Sequence, residues 1–208
     1  MTIIDVLTQY RLTVSEARRY ASDAFQQKDD GTYLYDESHR RFIVDAAILK
    51  FFIAWETYLE SIFKCFLLGE RTTVGTVVRT YVSARDDDHA EKLLVGMNKY
   101  FDWANQEFVC KLSRLYLDDN NPIVSAINLI ISDLKDLRII RNAAAHMTQT
   151  TRVPIEALAQ RITGHQHLGI TPSELIFFTE SSSGMIYWDY YQCKLDVAAE
   201  NIAKGVVT

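Results

Sequence analysis

The chain has 208 residues, of which 48% are apolar and 24% are charged, and 27 acidic against 22 basic residues give a formal net charge of −5. This length and apolar content suit one well-cored domain and exclude a disordered chain. Three prolines and eight glycines are too few for the many turns of an all-β sandwich. The acidic balance excludes a surface coated with positive charge for nucleic acid, although it leaves room for one local basic site.

Apolar spacing predicts two helices in the first third of the chain. Residues 3–27 repeat apolar side chains every three or four positions, and Gly31 follows as a stop. A longer helix is expected from about residue 36 to Leu68, ending at Gly69. Its apolar arc is broad, which indicates burial on several sides and the central position in a bundle. The narrow polar arc of this helix carries Asp45, Glu56, Glu60 and Lys64.

In the middle of the chain, the sequence signals for helix termini are clearer than those for helix interiors. A short helix is expected over residues 72–82, a second from the cap residues at Asp86 to Val95, and a third over 103–117. Pro122 then favours the start of a long helix that runs to about Met147. The apolar stripe of that long helix contains Ile127, Ile130, Leu134 and Leu137.

The C-terminal part differs in pattern. A short helix is expected over residues 155–162, and two apolar runs around Gly184 between Leu175 and Trp188 are typical of a small β-hairpin. A closing helix over 193–204 is expected to pack against the rest of the chain.

These elements predict an all-α protein, an up-and-down helical bundle with a small C-terminal β-hairpin. We expect a single helical domain over residues 1–208, with its core at about 36–150 and a C-terminal appendage at about 152–208.

The cysteines and the N-terminus indicate the compartment. Cys65, Cys110 and Cys193 are odd in number and widely spaced in apolar surroundings, as expected for buried thiols in a reducing cytosol. The N-terminus lacks a basic region followed by an apolar run, and charged residues interrupt the most apolar stretch, 42–68. The sequence predicts a soluble, cytoplasmic protein with no membrane partner.

The residues with the strongest chemical signal are Arg141, Asn142 and His146. Arg141 interrupts an apolar stripe, and because a guanidinium keeps its charge, it must meet an anion, a partner charge or water. Histidine exchanges protons near neutral pH, and arginine stabilises the charge on a phosphate. Together they suit metal-free cleavage of a phosphodiester, and we expect neither a metal nor a cofactor.

The spacing of Arg141 and His146 is weak evidence by itself. A chain with 13 arginines and five histidines produces such a pair by chance about 0.3 times. A histidine in the last turn of a helix is also stabilised by the helix dipole without any further function.

The Arg141-Asn142-x-x-x-His146 motif, late in a long helix, resembles the HEPN superfamily of all-helical ribonucleases and nucleotide-binding domains. The helix with Trp55 and Glu56 is similar to that of bacterial HEPN branches found near defence and toxin–antitoxin systems. The likeness covers roughly residues 40–150, and Asn142 matches the catalytically competent form of the motif.

The resemblance implies a homodimer in which two Arg141/His146 pairs form one composite cleft that cuts RNA without metal, through a 2′,3′-cyclic phosphate. The apolar stripe is then expected to serve also as the dimer seam. A toxin or defence effector with a possible antitoxin or other protein partner follows from the same likeness. One branch, silenced by modification of a tyrosine two residues after the histidine, is not matched, since Thr148 stands there.

Two further residues are weaker candidates for substrate binding. Arg138 lies one turn before Asn142 and either contacts phosphate or forms a surface ion pair. Glu56 either pairs with Arg141 or Arg138, orients His146, or is solvated.

Two other features have more ordinary explanations. His165 and His167 lack a third ligand, so a plain loop is favoured over a metal site. The aromatic residues 187–191 either stack on bases or pack, as part of the hairpin, against the bundle. For the whole chain, the alternative to a nuclease is a non-catalytic helical module that binds a nucleotide or a protein.

Overall fold

The computed structural model describes residues 1–96 and 101–207, and it is built from α-helices. Nine helices lie in the described part of the chain. Their bounds are α1 Ile3–Asp23, α2 Glu37–Leu67, α3 Asp87–Val95, α4 Gln106–Tyr116, α5 Pro122–Leu129, α6 Ile131–Ala145, α7 Gln149–Thr163, α8 Pro172–Leu175 and α9 Tyr187–Lys204. Among these helices, none has the length and apolarity needed to cross a membrane. The all-α prediction is confirmed.

The chain folds into two compact units, each assembled from separated segments. The first unit contains Met1–Arg11, Trp55–Ile131 and Leu195–Thr208, and the second contains Leu12–Ala54 and Ser132–Lys194. Helices α1, α2 and α9 therefore contribute residues to both units.

Aromatic packing forms the core of the first unit. Tyr10 packs against Tyr58 with 5.1 Å between ring centroids, and Tyr58 stacks on Trp55 at 5.8 Å. The buried Tyr58 hydroxyl donates to the carbonyl of Ala199 at 2.6 Å, which satisfies its polar atom. Burial raises the pKa of Tyr58, so the hydroxyl keeps its proton and its role as a donor.

The second unit is centred on Trp188. Its indole is fully buried and stacks on Phe51 with 5.5 Å between centroids. Arg18 lies over the same indole at 6.0 Å and pairs with Asp189 at 2.8 Å. The start of α9 is therefore held by both packing and charge.

The boundaries of α2 and α3 confirm the sequence prediction closely. Helix α2 begins at Glu37 and ends at Leu67, and α3 begins after Asp86, whose carboxylate accepts the backbone N–H of His89 at 2.8 Å. N-cap residues and a long apolar repeat allow the ends of these two helices to be predicted from the sequence.

Two expected helices differ in the structure. Residues 72–82 form no helix but a turn at Gly75, where φ is +87°, and isolated bridges from Arg71 to Val77 and from Thr80 to Leu117. β-branched residues and this glycine oppose a helix here. The expected 122–147 helix breaks at Ile130, where φ is −120° and ψ is 21°, and so becomes α5 and α6.

The expected β-hairpin is wrong. Residues 172–175 form α8, started by a capping box between Thr171 and Glu174, and a turn follows with a single bridge from Thr179 to Ile186. The carboxylate of Glu180 accepts backbone N–H groups within this turn, and α9 already begins at Tyr187. The aromatic run that suggested a strand is the first turn of a helix.

Two smaller expectations also change. Helix α7 begins at Gln149 rather than at residue 155, because Thr148 and Thr151 form a capping box. Cys65 and Cys110 are buried as expected, whereas Cys193 is exposed on α9.

Trp188→Ala should lower the free energy of unfolding by about 3–5 kcal/mol, because it removes the indole that fills the second unit. Trp188→Phe should cost less, since an aromatic ring remains against Phe51. Val197→Ala on the same helix is the control, because Val197 is 54% exposed and should change stability by no more than about 0.5 kcal/mol. Urea unfolding measures all three, and equal losses at both positions would contradict the packing described.

Candidate functional site

The predicted motif lies where α6 ends. Arg141 and Asn142 occupy the last turn of the helix, which ends at Ala145, and His146 is the first residue beyond it. The backbone N–H of His146 still donates to the carbonyl of Asn142 at 3.0 Å. All three residues therefore belong to one rigid helix end rather than to a free loop.

The guanidinium of Arg141 is held from two directions. Its Nη1 donates to the Oδ1 of Asn142 at 3.1 Å, and its central carbon lies 5.8 Å from the ring centroid of Phe52. Arg141 is half-buried, so these contacts act in a partly desolvated setting, where a cation over an aromatic face is worth more than in water. These contacts keep the Arg141 guanidinium in one orientation.

His146 is exposed, unlike Arg141 and Asn142. The Thr151 hydroxyl donates to the carbonyl of His146, which anchors its backbone where α7 begins. Within the described part of the chain, no side chain hydrogen-bonds to its imidazole. A fixed backbone with an accessible ring suits proton exchange with a bound substrate.

The apolar stripe of α6 is buried inside the protein. Leu134, Leu137 and Ile140 are each no more than 1% exposed. The expectation that this stripe is also a dimer seam is therefore wrong, because its area is already covered by the chain itself. Any partner must use other surface next to His146.

The two predicted substrate-binding residues lie in different units. Arg138 is half-buried on α6, one turn before Asn142, within the second unit. Glu56 is on α2 within the first unit. The structure thus brings Arg141 into contact with Asn142 and ties His146 to them through the backbone.

Two carboxyl groups of the second unit have raised pKa values. Burial raises the pKa of Asp136, against the opposing effect of Arg161, whose guanidinium donates to it. Burial likewise raises the pKa of Asp45 to about 6, which the charge of Arg41 and a backbone N–H from Ser173 only partly offset. The sequence placed Asp45 on the narrow polar arc of α2, yet its Oδ1 is buried and lacks a hydrogen-bond partner.

The remaining sequence candidates have structural roles. The ring of His167 packs on Phe178 at 5.1 Å, and its Nε2 lies 3.0 Å from the Thr163 hydroxyl. Tyr187, Trp188 and Tyr191 are buried, so these side chains of the aromatic run pack in the interior, as part of helix α9 rather than of a hairpin. Across residues 1–96 and 101–207, no group of three or more His, Cys, Asp or Glu side chains is arranged to hold a metal ion.

A cavity of about 540 Å³ in the second unit was not predicted from the sequence. Its lining includes Arg40, Arg41 and three phenylalanines, and none of the four predicted site residues of α6 and its end. The lining phenylalanines are Phe25, Phe177 and Phe178. The adjacent phenylalanines on a short loop were the signal available in the sequence, and the expected hairpin obscured it.

Comparison with known proteins gives no relative. No protein-family model matches the chain, and neither a curated protein nor a solved structure is significantly similar to it. The family resemblance stays a prediction that rests on the motif and on the helices around it.

Asp45→Asn should stabilise the protein more at pH 7.5 than at pH 4.5. The folded-state pKa of about 6 lies above the ordinary value of 3.8, so the native state binds more protons between these values. The stability that the protonated Asp45 carboxyl contributes is therefore fully present below about pH 4 and is lost as pH rises through 6. The difference between the two pH values should be about 1 kcal/mol, since partial exposure reduces the full effect.

Chemical unfolding at both pH values tests this expectation. Asp119→Asn, at an exposed loop position, is the matched control and should show no such pH dependence. An Asp45→Asn effect that is the same at both pH values would show that the buried carboxyl is not the cause.

Proposed function

We propose that the protein is a metal-independent endoribonuclease of HEPN type that acts as a homodimer. The observation that carries the proposal is the end of α6, where the oriented guanidinium of Arg141 and the exposed imidazole of His146 lie on one helix terminus joined by Asn142. This is the pair of groups that transfer of a phosphodiester to a neighbouring hydroxyl requires.

Arg141 binds the scissile phosphate in this proposal. Its Nη1 donates to the Asn142 carboxamide, and Phe52 packs on the guanidinium. An arginine so oriented forms charge-assisted hydrogen bonds to phosphate oxygens and stabilises their charge in the transition state. Asn142 is a positioning residue, because it acts through Arg141. Arg138 adds a second phosphate contact from the preceding turn.

The reaction removes one proton from the attacking 2′-hydroxyl and supplies one proton to the leaving 5′-oxygen. A neutral His146 imidazole accepts the proton of the ribose 2′-hydroxyl, and the 2′-oxygen forms a bond to phosphorus as the bond to the 5′-oxygen breaks. A protonated imidazole gives its proton to the departing 5′-oxygen. The products are a 2′,3′-cyclic phosphate and a 5′-hydroxyl end, so no oxidant or external nucleophile is needed.

The geometry of this displacement favours a dimer. The attacking and leaving oxygens lie on opposite sides of phosphorus, so the base and the acid must approach from opposite sides. The end of α6 supplies one imidazole, and a second copy of the chain supplies the other. Met147, directly after His146, is 41% exposed and offers apolar surface for such a contact.

The setting proposed for the enzyme is cytoplasmic, as a toxin or defence effector whose activity an antitoxin or another protein partner restrains. The buried thiols of Cys65 and Cys110 suit a reducing compartment. The partner follows from the activity, since a cell that makes a general RNA-cleaving enzyme must control it.

Purified wild-type protein should cleave RNA in the presence of EDTA, and His146→Ala should lower the rate by at least about 100-fold, as expected for loss of a general acid–base group. His165→Ala is the matched control, because it removes another exposed imidazole and should leave cleavage unchanged. Both variants should keep wild-type stability. Cleavage that persists in His146→Ala contradicts the proposal, and a wild type without activity favours the non-catalytic binding module.

Mixed dimers test the composite site. If each cleavage needs an imidazole from both copies, dimers formed from wild type and His146→Ala in equal amounts should retain about one quarter of the activity after subunit exchange. Independent sites would retain about one half. The readout is the initial rate of cleavage of a labelled RNA as the fraction of wild type is varied, and a linear dependence contradicts the composite cleft.

A further inference from the structure

The cavity of the second unit has an apolar body and a charged rim. Phe25 packs edge-on to Phe177 at 5.2 Å between centroids, and Val44 is fully buried at the wall. The volume of about 540 Å³ lies within the range of small-molecule sites. Such a space favours a compact ligand with a flat or branched apolar group.

The two carboxylates of the rim, Glu37 and Glu174, are paired with the same arginine. Arg41 pairs with Glu37 at 2.6 Å and with Glu174 at 3.1 Å. The Glu174 carboxylate also accepts the backbone N–H and the hydroxyl of Thr171, and these hydrogen bonds hold the pKa of Glu174 below its usual value. This carboxylate therefore has little capacity left to attract a cation.

Arg40 is the cation of the rim that has no carboxylate partner in the described part of the chain. Its Nη1 donates to the carbonyl of Tyr35 at 2.8 Å, and its central carbon lies 4.2 Å from the ring centroid of Tyr33. The carbonyl and the aromatic face fix the half-buried guanidinium while its other N–H groups stay available for an anion.

We propose that this cavity binds a small aromatic or branched-chain carboxylate. Its apolar group packs among Phe25, Phe177 and Phe178, and its carboxylate pairs with Arg40. A single arginine without a carboxylate partner in the described part of the chain matches the bidentate geometry and single charge of a carboxylate, whereas a phosphate usually gathers several donors. The site is separate from Arg141 and His146, so it is a ligand site in addition to the proposed nuclease centre.

Calorimetric titration with 3-phenylpropionate tests the site against two probes of the same shape. The neutral 3-phenylpropionamide should bind at least about tenfold more weakly, and the cationic 3-phenylpropylamine should show no saturable binding. Equal affinity for all three compounds would mean that the cavity selects only apolar surface. Stronger binding of the amine would overturn the assigned role of Arg40.

Variants of the full-length protein separate charge from packing. Arg40→Gln should weaken 3-phenylpropionate at least about tenfold and leave the amide unchanged, whereas Phe177→Ala should weaken both. Arg79→Gln, at an arginine of the first unit that is 79% exposed, is the control and should bind as the wild type does. An unchanged affinity of Arg40→Gln for the carboxylate contradicts the proposal, whatever the result of the RNA cleavage assay.

Discussion

A charged guanidinium held half-buried at the end of α6 is the constraint on which the candidate site depends. Arginine does not release its proton to escape burial, so the fold must supply contacts that tolerate the charge. Phe52 supplies an aromatic face and Asn142 an acceptor, and both fix the direction of the fork. At the same helix end, the side chain of His146 is exposed to solvent. Electrostatics and helix termination together place the three residues of the candidate site within six consecutive positions.

Much of the fold was readable from sequence because apolar periodicity and caps are local signals. Helix α2 and the cap at Asp86 illustrate this. The failures have equally physical reasons. At Ile130 the apolar period continues through a backbone break, so the pattern alone cannot show it. The start of α9 is aromatic and resembles a strand, but burial of Trp188 against Phe51 decides in favour of a helix.

The sequence likewise predicted some contacts of the candidate site and not others. Residues within one helix end, such as Arg141 and Asn142, could be placed near each other from their spacing alone. Long-range facts could not: the stripe containing Leu137 is interior, and Arg40 lies at the rim of a cavity whose other walls come from distant segments. A short sequence motif therefore predicts which reactive side chains lie close together better than it predicts which side chains are exposed. Exposure depends on tertiary packing, which brings distant segments together.

The ion pairs show how the basic residues behind the net charge of −5 are used. Several arginines that a count would assign to nucleic acid are already paired: Arg11 with Asp196 and Glu200, and Arg18 with Asp189. Because the salt dependence of RNA binding follows the number of phosphates contacted, the proposed nuclease should show a shallow salt dependence and a weak non-specific affinity for RNA. In the proposed function, selectivity for RNA then comes from the groups positioned at the end of α6, Arg141 and His146.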